Sequence, residues 1–504
     1  MNHLSLYGTS LALLTDLYQL TMAQGYWKQG MTKTDAIFHL NFRKPPFGGG
    51  YAVAAGLKTA VDYMLKYEFQ PDDIEYLEGL RADDDEPLFD PEFLKFLGEM
   101  KFSCSVDAMP EGSIVFGHEP MLRIEGPLIQ CQLLETALLN IINFQTLIAT
   151  KAARVCLAAE GEPVLEFGLR RAQGIDGGMA ASRAAFIGGC SATSNVLAGK
   201  LFGIPVKGTH AHSWIMSFDS EIEAFRAYAE AMPNNVVFLV DTYDTIEGVK
   251  NAIIVGDEMK KLGHKAAGIR LDSGDLAWLS IQARKMLDEA GFEDTAIVAS
   301  NSLNERTIRS LKEQGATIGV WGVGTHLATG WDHPALGGVY KLSAVRAEGG
   351  EWKPKIKVSE QRVKISNPGR IQVRRFWRNE PSRFGGKGEF IGDMIYDEFM
   401  GEPQTNIIVD PLDSTRRKQL EGSGSDLLKP IFRDGEFVGE EHVKDDLYEI
   451  QEHARYMLSY FDDSIKRFEY PHQYPAGLEK SLHDLKTKLI IEARGFEDDT
   501  STTW

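Results

Sequence analysis

EFGLRRAQGIDGGMAASRAAFIGGCSATSNVLAGKLFGIPVKGTHAHSWIMSF, running from Glu166 to Phe218, is the stretch whose reading decides the fold. It is entered through a strand-like run, Pro163 to Gly168, that is apolar and closed by glycine. Arg170 and Arg171 follow, and then Gly174-Ile175-Asp176-Gly177-Gly178, whose glycines read as a turn. Met179 to Ile187 is Ala-rich and helical, leading to Gly188-Gly189. A second helix is expected to begin near Ser191 or Ser194, either of which can cap it, and to stop at Gly203. Ile204-Pro205-Val206 is a short strand that delivers Gly208-Thr209-His210-Ala211-His212-Ser213. Ligands of parallel α/β folds sit in such a place, at the carboxyl ends of strands. There Gly208 permits close backbone approach, and Thr209 and Ser213 offer hydroxyls to phosphate oxygens. A histidine can serve as acid, base, nucleophile or metal ligand.

The same rhythm continues from about 163 to 342. VLEFG, IPVKG, VVFLVDTYD, AAGIRLDSGDL, AIVASNSLNE, IGVWGVGT and GVYKLSAV alternate with helical segments, the pattern of parallel βα units. Four more strands run into polar or Gly-containing loops: Asp241 to Asp244, Arg270 to Asp275, Ser300 to Ser302, and Gly322 to Thr325. Around a barrel such loops converge on one face. They would supply carboxylates, hydroxyls, arginines and, in Gly-Val-Gly-Thr, backbone N–H groups that an anion can approach without a Cβ in the way. Asp272 and Asp275 also suit an Asx turn and a helix N-cap.

Before this region, residues 10–30 read as a helix ended by Gly30, with Tyr18 either a packing residue or a functional one. Residues 35–43 alternate as a strand and enter the basic, Gly-tipped loop Lys44 to Gly50. Residues 51–100 are helical and acidic, 101–128 carry short strands, and Gln130 to Ala159 is a long apolar helix. After it, 343–385 are basic and serve either as a solvated hairpin or as a rim for phosphates. Residues 386–504 hold short strands, then helices, then a polar tail.

The chain of 504 residues has a formal charge of −18, which argues against a general nucleic-acid or anionic-membrane surface. It leaves room for a local pocket of placed arginines. Cys104, Cys131, Cys156 and Cys190 form no C-x-x-C pair, as expected of reduced thiols in a cytoplasmic protein. The N-terminus lacks a signal-peptide pattern, and the weakly charged run Thr136 to Thr150 is too short and polar to span a bilayer. His210 and His212 would share a face on a strand, which keeps open a metal-dependent barrel hydrolase. That reading needs further ligands at later strand ends, where no histidine appears before His326.

Six motifs, in order, carry a resemblance: Thr15-Asp16-Leu17-Tyr18-Gln19-Leu20-Thr21-Met22, Pro46 to Gly50, Glu166 to Gly174, Gly208 to Ser213, Arg270 to Asp275, and Gly322 to Thr325. Together they resemble the nicotinate phosphoribosyltransferase family. The resemblance implies an irregular (β/α) barrel of the type II phosphoribosyltransferase kind with a split α+β domain. It places the N-terminal domain at 1–130, completed by about 343–400, the barrel at 131–342, and a C-terminal extension at 401–504. It implies a cytoplasmic homodimer with shared active sites, acting on nicotinate and 5-phosphoribosyl 1-diphosphate in NAD biosynthesis. Mg²⁺ and ATP would be required, with ATP hydrolysed through a phosphohistidine, and no nucleic acid or membrane would be involved. By motif, His212 is the phosphorylated residue, whereas His210 holds a variable position and receives no catalytic role. Arg170 matches the partner of the nicotinate carboxylate, and Phe167 and Tyr18 match the aromatics around the pyridine ring, Tyr18 from the other subunit. Gly168, Thr209 and Ser213 line the same pocket. Arg270, Asp272 and Ser273 match the ribose and diphosphate side, with Asp272 a possible Mg²⁺ ligand. Gly322, Gly324 and Thr325 match the 5′-phosphate cradle, and His326 departs from the basic or small residue expected after it. A nicotinamide-using relative would share the fold but needs a carboxamide partner where Arg170 stands.

Overall fold

The computed structural model describes residues 8–378 and 389–495. The end of the basic stretch and the polar tail lie outside the described residues. The chain forms two compact units, one of Ile148–Pro334 and one of Met1–Leu147 with Ala335–Trp504.

The first unit is built on six parallel strands: β1 (Val164–Glu166), β2 (Ala192–Thr193), β3 (Val237–Leu239), β4 (Gly268–Leu271), β5 (Ala296–Ala299) and β6 (Val320–Val323). Their order in the sheet is β2-β1-β6-β5-β4-β3. β1 pairs with β2, and β3 to β6 pair in succession; β2 and β3, consecutive in the chain, stand at opposite ends of the sheet because β6 returns to pair with β1 (Trp321↔Val164, Gly322↔Leu165, Val323↔Glu166). That return wraps the sheet into the irregular barrel. Val206 adds a parallel bridge to Thr193 beyond β2. A seam is left between the Val206 segment and β3. The strands are short, β-branched or aromatic, and buried on both faces, as parallel strands between helices must be; Val164, Phe238, Ile269, Ile297 and Trp321 are all inaccessible.

The helices between the strands start where side chains satisfy orphan N–H groups. Asp244, Asp275 and Asn304 accept from Glu247, Trp278 and Arg306 and so cap Thr245–Lys261, Leu276–Glu289 and Glu305–Glu313. Two local expectations change. The Gly-rich segment after Arg171 is the start of the helix Gly174–Ile187, not a turn. Gly178 is used for packing: a Cβ there would stand 2.7 Å from the Leu169 side chain. The next helix, Val196–Phe202, is capped by Asn195, which accepts from Ala198 N–H at 3.2 Å, and not by Ser191 or Ser194. It ends at Gly203 in the left-handed conformation (φ +71°).

GVYKLSAV does not belong to the parallel series. Gly338–Arg346 pairs antiparallel with Asp35–Phe42 in the other unit, within a seven-stranded antiparallel sheet. Lys429–Arg433 and Glu436–Phe437 from the C-terminal region extend the same sheet. A second, six-stranded sheet contains Ile371–Arg378, Glu389–Asp397 and Ala476–Glu479. The long apolar helix is two helices, Leu128–Leu133 and Glu135–Ala159. The N-terminal helix is Leu17–Lys28, with Gln19 folding back to accept from the Asp16 N–H at 3.1 Å.

A buried ionic cluster anchors the barrel beside the ends of β5 and β6. Lys151 and Arg154 reach Glu305 at 2.7 and 2.9 Å, and Lys151 also reaches Asp332 at 2.9 Å. Breaking one partner of a buried pair leaves an uncompensated charge. Glu305→Gln is therefore expected to destabilise the protein by about 3 kcal/mol or more. Denaturant unfolding followed by tryptophan fluorescence checks this; an unchanged midpoint would show that the cluster contributes nothing net.

Candidate active site

The corner after β1 is fixed by a buried carboxylate. Glu166 accepts from Thr193 Oγ1 at 2.6 Å and from Ser182 Oγ at 2.9 Å, while its other oxygen accepts the Gly168 N–H. With its oxygens so engaged, the buried Glu166 carboxyl can hold Phe167 and Gly168 in place. The β6 loop then passes close against them. A Cβ on Gly322 would lie 2.8 Å from two atoms of the Phe167 ring. One on Gly168 would collide with the Ala328 side chain and lie 2.9 Å from Gly324 O. The glycines of Gly-Val-Gly-Thr are thus required for the approach of two strand-end loops, whatever they present to a ligand.

A second cluster joins the loops after Val206, β3, β4 and β5. The His212 ring stands 3.1 Å through Nδ1 from Thr242 Oγ1 and 3.6 Å through Nε2 from Asp272 Oδ2. Asp272 Oδ1 accepts the Ser300 hydroxyl. The Asp272 N–H and the Ser273 hydroxyl both donate to Asp241 Oδ2, at 2.8 and 2.7 Å. Arg270 donates through Nη2 to His210 O at 2.9 Å. Burial holds its pKa below the usual guanidinium value, against the pull of Asp272 and Asp241, and the charge of Arg170 lowers it further. Arg170 itself is exposed on the turn Leu169–Arg171. Arg170 and Arg270 thus lie within reach of each other's charge, and Arg270 adjoins a cluster in which His212 and Asp272 are half-exposed.

The remaining expected residues are more dispersed. Thr209 donates to its neighbour's carbonyl, His210 O, at 3.2 Å, and Ser213 and Ser273 are exposed. Thr325 lines an open groove of about 570 Å³ with Arg171, Gln173, Thr329, Trp331 and Pro334. His326 is a packing residue: its ring lies against Trp331, 5.2 Å between centroids, and its Nδ1 is 3.3 Å from Asn304 Nδ2. Tyr18 belongs to the other unit, where its side chain is 49% exposed and Glu135 lies beside it.

The two histidines of H-x-H do not share a face. The segment is a loop that turns into the helix His212–Met216, so the strand spacing that would pair them is absent. His210 is buried and its Nε2 accepts from Leu239 N–H at 3.2 Å, which removes it as a ligand beside His212. The metal-hydrolase alternative fails on that geometry. Among residues given no individual assignment from sequence, Glu166, Asp241, Thr242 and Ser300 prove integral to the clusters. Their common signal is position: each lies at the carboxyl end of a barrel strand.

Profiles for the nicotinate phosphoribosyltransferase (NAPRTase) N-terminal domain, family and C-terminal domain match residues 13–143, 164–366 and 379–486. The nicotinate phosphoribosyltransferase of Bacillus subtilis (strain 168) is 44% identical over 489 residues, 96% of each chain. The chain belongs to the nicotinate phosphoribosyltransferase family. It is an enzyme of that type. The crystal structure of human nicotinic acid phosphoribosyltransferase superposes with a TM-score of 0.81 at 33% identity, covering 94% of this chain and 99% of that one. A nicotinate-nucleotide pyrophosphorylase from Pyrococcus furiosus shares the fold at 24% identity, with a TM-score of 0.66 over 91% and 96% of the two chains.

In this transferase, Gly322→Ala is expected to displace the Phe167 ring and raise KM for nicotinate about tenfold, since small misplacements of a binding group are costly. Initial rates against nicotinate check this, and an unchanged KM would separate Phe167 from the pyridine site. Burial also lowers the pKa of His210 from 6.5 to about 4. Between those values the unfolded chain takes up a proton that the folded chain does not, so stability is full above the upper value and falls as pH drops through the window. The thermal midpoint is expected to decline across that range, less steeply in His210→Gln; equal slopes would remove His210 from the cause.

Proposed function

We propose that the enzyme joins nicotinate to 5-phosphoribosyl 1-diphosphate, giving nicotinate mononucleotide and diphosphate for NAD biosynthesis, with ATP hydrolysed through phosphorylation of His212. The observation that carries the reading is the second cluster. His212 is held between Thr242 and Asp272 at the strand ends, beside Arg270 and in the field of Arg170.

In this reading the ring nitrogen of nicotinate attacks the anomeric carbon as the bond to the diphosphate oxygen breaks. The nitrogen carries its lone pair at neutral pH, so no strong general base is needed. Catalysis rests on positioning and on stabilising the departing charge. Arg170 meets the nicotinate carboxylate in the two-pronged way that a guanidinium allows and an ammonium does not, which favours nicotinate over nicotinamide. Phe167 covers one face of the pyridine, with Gly168, Thr209 and Ser213 at its edge. Arg270, Asp272 and Ser273 face the ribose and diphosphate, and Gly322, Gly324 and Thr325 the 5′-phosphate. ATP transfers its γ-phosphoryl group to a His212 nitrogen, forming a P–N bond and releasing ADP; water later cleaves that bond to give phosphate. The added negative charge beside the diphosphate site tightens donor binding through loop ordering, and its loss aids release of diphosphate.

Asp272 is a half-exposed carboxylate whose Oδ1 accepts the Ser300 hydroxyl, and among the described residues no group of three or more His, Cys, Asp or Glu could hold a metal alone. That donor set fits a Mg²⁺ ion that arrives on the diphosphate, with Asp272 as its protein ligand. When bound, the ion would offset charge on the leaving group. Tyr18 is exposed, as are Leu14, Leu17 and Met22 near it in sequence; in this reading a second copy of the chain covers them and brings Tyr18 to the other pyridine face. Among the described residues no helix is long and apolar enough to cross a membrane; a cytoplasmic homodimer is part of this reading.

Wild type and His212→Ala, each given the diphosphate donor, Mg²⁺, nicotinate or nicotinamide, and ATP or none, test this directly. The expected result is mononucleotide from nicotinate, stimulated by ATP in wild type, with ADP release lost in the variant. A variant that still splits ATP in step with product would end the phosphohistidine assignment. Equal use of nicotinamide would end that of Arg170.

A further inference from the structure

The barrel seam is closed by a side chain. N–H groups of a parallel strand alternate in direction, and Val240 N–H donates to Arg270 O on the β4 side. Leu239 N–H points the other way, into the seam, and Leu239 is fully buried. The partner it meets is the His210 imidazole, at 3.2 Å. A buried N–H without an acceptor is costly, so the ring stands in for a missing strand pair. The ring is walled by the helix Glu221–Ala231, edge-on to Tyr228 with centroids 4.7 Å apart and 6.2 Å from Phe225. Four residues on, Trp214 is pinned to the same helix by donating through Nε1 to Ala224 O at 3.0 Å.

His212 lies between these two anchors. The carbonyl of His210 is also the acceptor for Arg270 Nη2. One residue thus sets the seam through its ring, Arg270 through its backbone, and the path of the chain to His212. We propose that His210 is a positioning residue of the transferase, which places Arg270 and His212 by latching the 208–213 loop to β3. The inference deepens the site reading above and rests on Arg270 facing the diphosphate donor.

The experiment compares His210→Leu, His210→Asn and His210→Gln with wild type and with Arg270→Gln. KM and kcat are read against the diphosphate donor, and amide exchange is read on a peptide spanning 236–241. Glutamine places an oxygen near the position of Nε2; asparagine is one methylene too short, and leucine has no acceptor. In the leucine and asparagine variants, exchange at Leu239 is expected to quicken and donor KM to rise about tenfold, the size of one unmade buried hydrogen bond. The kcat is expected to change less, and glutamine is expected to restore both readings. A purely structural residue would lower the active fraction, and so kcat, without moving KM. Where the leucine variant does not fold, the contrast between asparagine and glutamine decides. Faster exchange with donor KM unchanged, while Arg270→Gln raises it, overturns the positioning role alone. If Arg270→Gln also leaves donor KM unchanged, the reading of the site falls and takes this inference with it. A glutamine variant indistinguishable from asparagine overturns the latch.

Discussion

The return of β6 to β1 is the constraint on which the rest of the barrel depends. In register Trp321↔Val164 to Val323↔Glu166, it sets the Gly322 loop directly against Phe167 and Gly168. No side chain fits between them, so small residues at 168, 322 and 324 follow from strand pairing. Glu166 pays for its burial with hydrogen bonds from Thr193, Ser182 and Gly168, and these hold the corner at the geometry the close approach requires. Site and fold are therefore one problem here: a residue that loosens the β1–β6 contact also misplaces Phe167.

Net charge is a poor guide to this site. The chain carries −18, yet two arginines, Arg170 and Arg270, lie within reach of each other's charge at the strand-end loops. The fully buried cations are of a different kind. Lys151 meets two carboxylates, and Arg375 is paired with Asp393 and enclosed by the rings of Phe116, Phe390 and Phe461. A buried charge must be neutralised within the fold, whereas an exposed one such as Arg170 is stabilised by water. The screening length in salt solution is about 8–10 Å. The acidic remainder of the surface thus barely reaches a cation at the mouth of the site.

Much of this was legible in the sequence, and the failures have physical causes. Alternation of short apolar runs with helical segments marked the parallel barrel, because strands buried on both faces must be apolar throughout. It also swept in GVYKLSAV, since an apolar run does not declare whether its partner is parallel; Gly338–Arg346 found Asp35–Phe42, some three hundred residues earlier in the chain. Gly174 to Gly178 read as a turn because glycine propensity opposes helix, and the packing of Leu169 onto Gly178 overrode it. The strand-end loops were found, but not which residues in them would be tied together. Ser300 meets Asp272, and Thr242 meets His212, across strands whose adjacency only the folded sheet defines.

His210 and His212 show why spacing alone could not assign them. Two residues apart on a strand they would point the same way, and a metal pair would follow. The segment leaves strand geometry after Val206 and begins a helix at His212, so the two rings diverge. One enters the core, where burial lowers its pKa to about 4 and it serves as an acceptor. The other stays at the surface between a hydroxyl and a carboxylate. Had backbone pairing closed the seam instead, residues 208–211 would be held in an extended pleat, with side chains forced to alternate faces. Closing it with an imidazole satisfies the buried N–H while freeing the backbone to turn. That freedom is what allows Thr209, His212 and Ser213 to be set out within a few residues at the strand ends of one barrel.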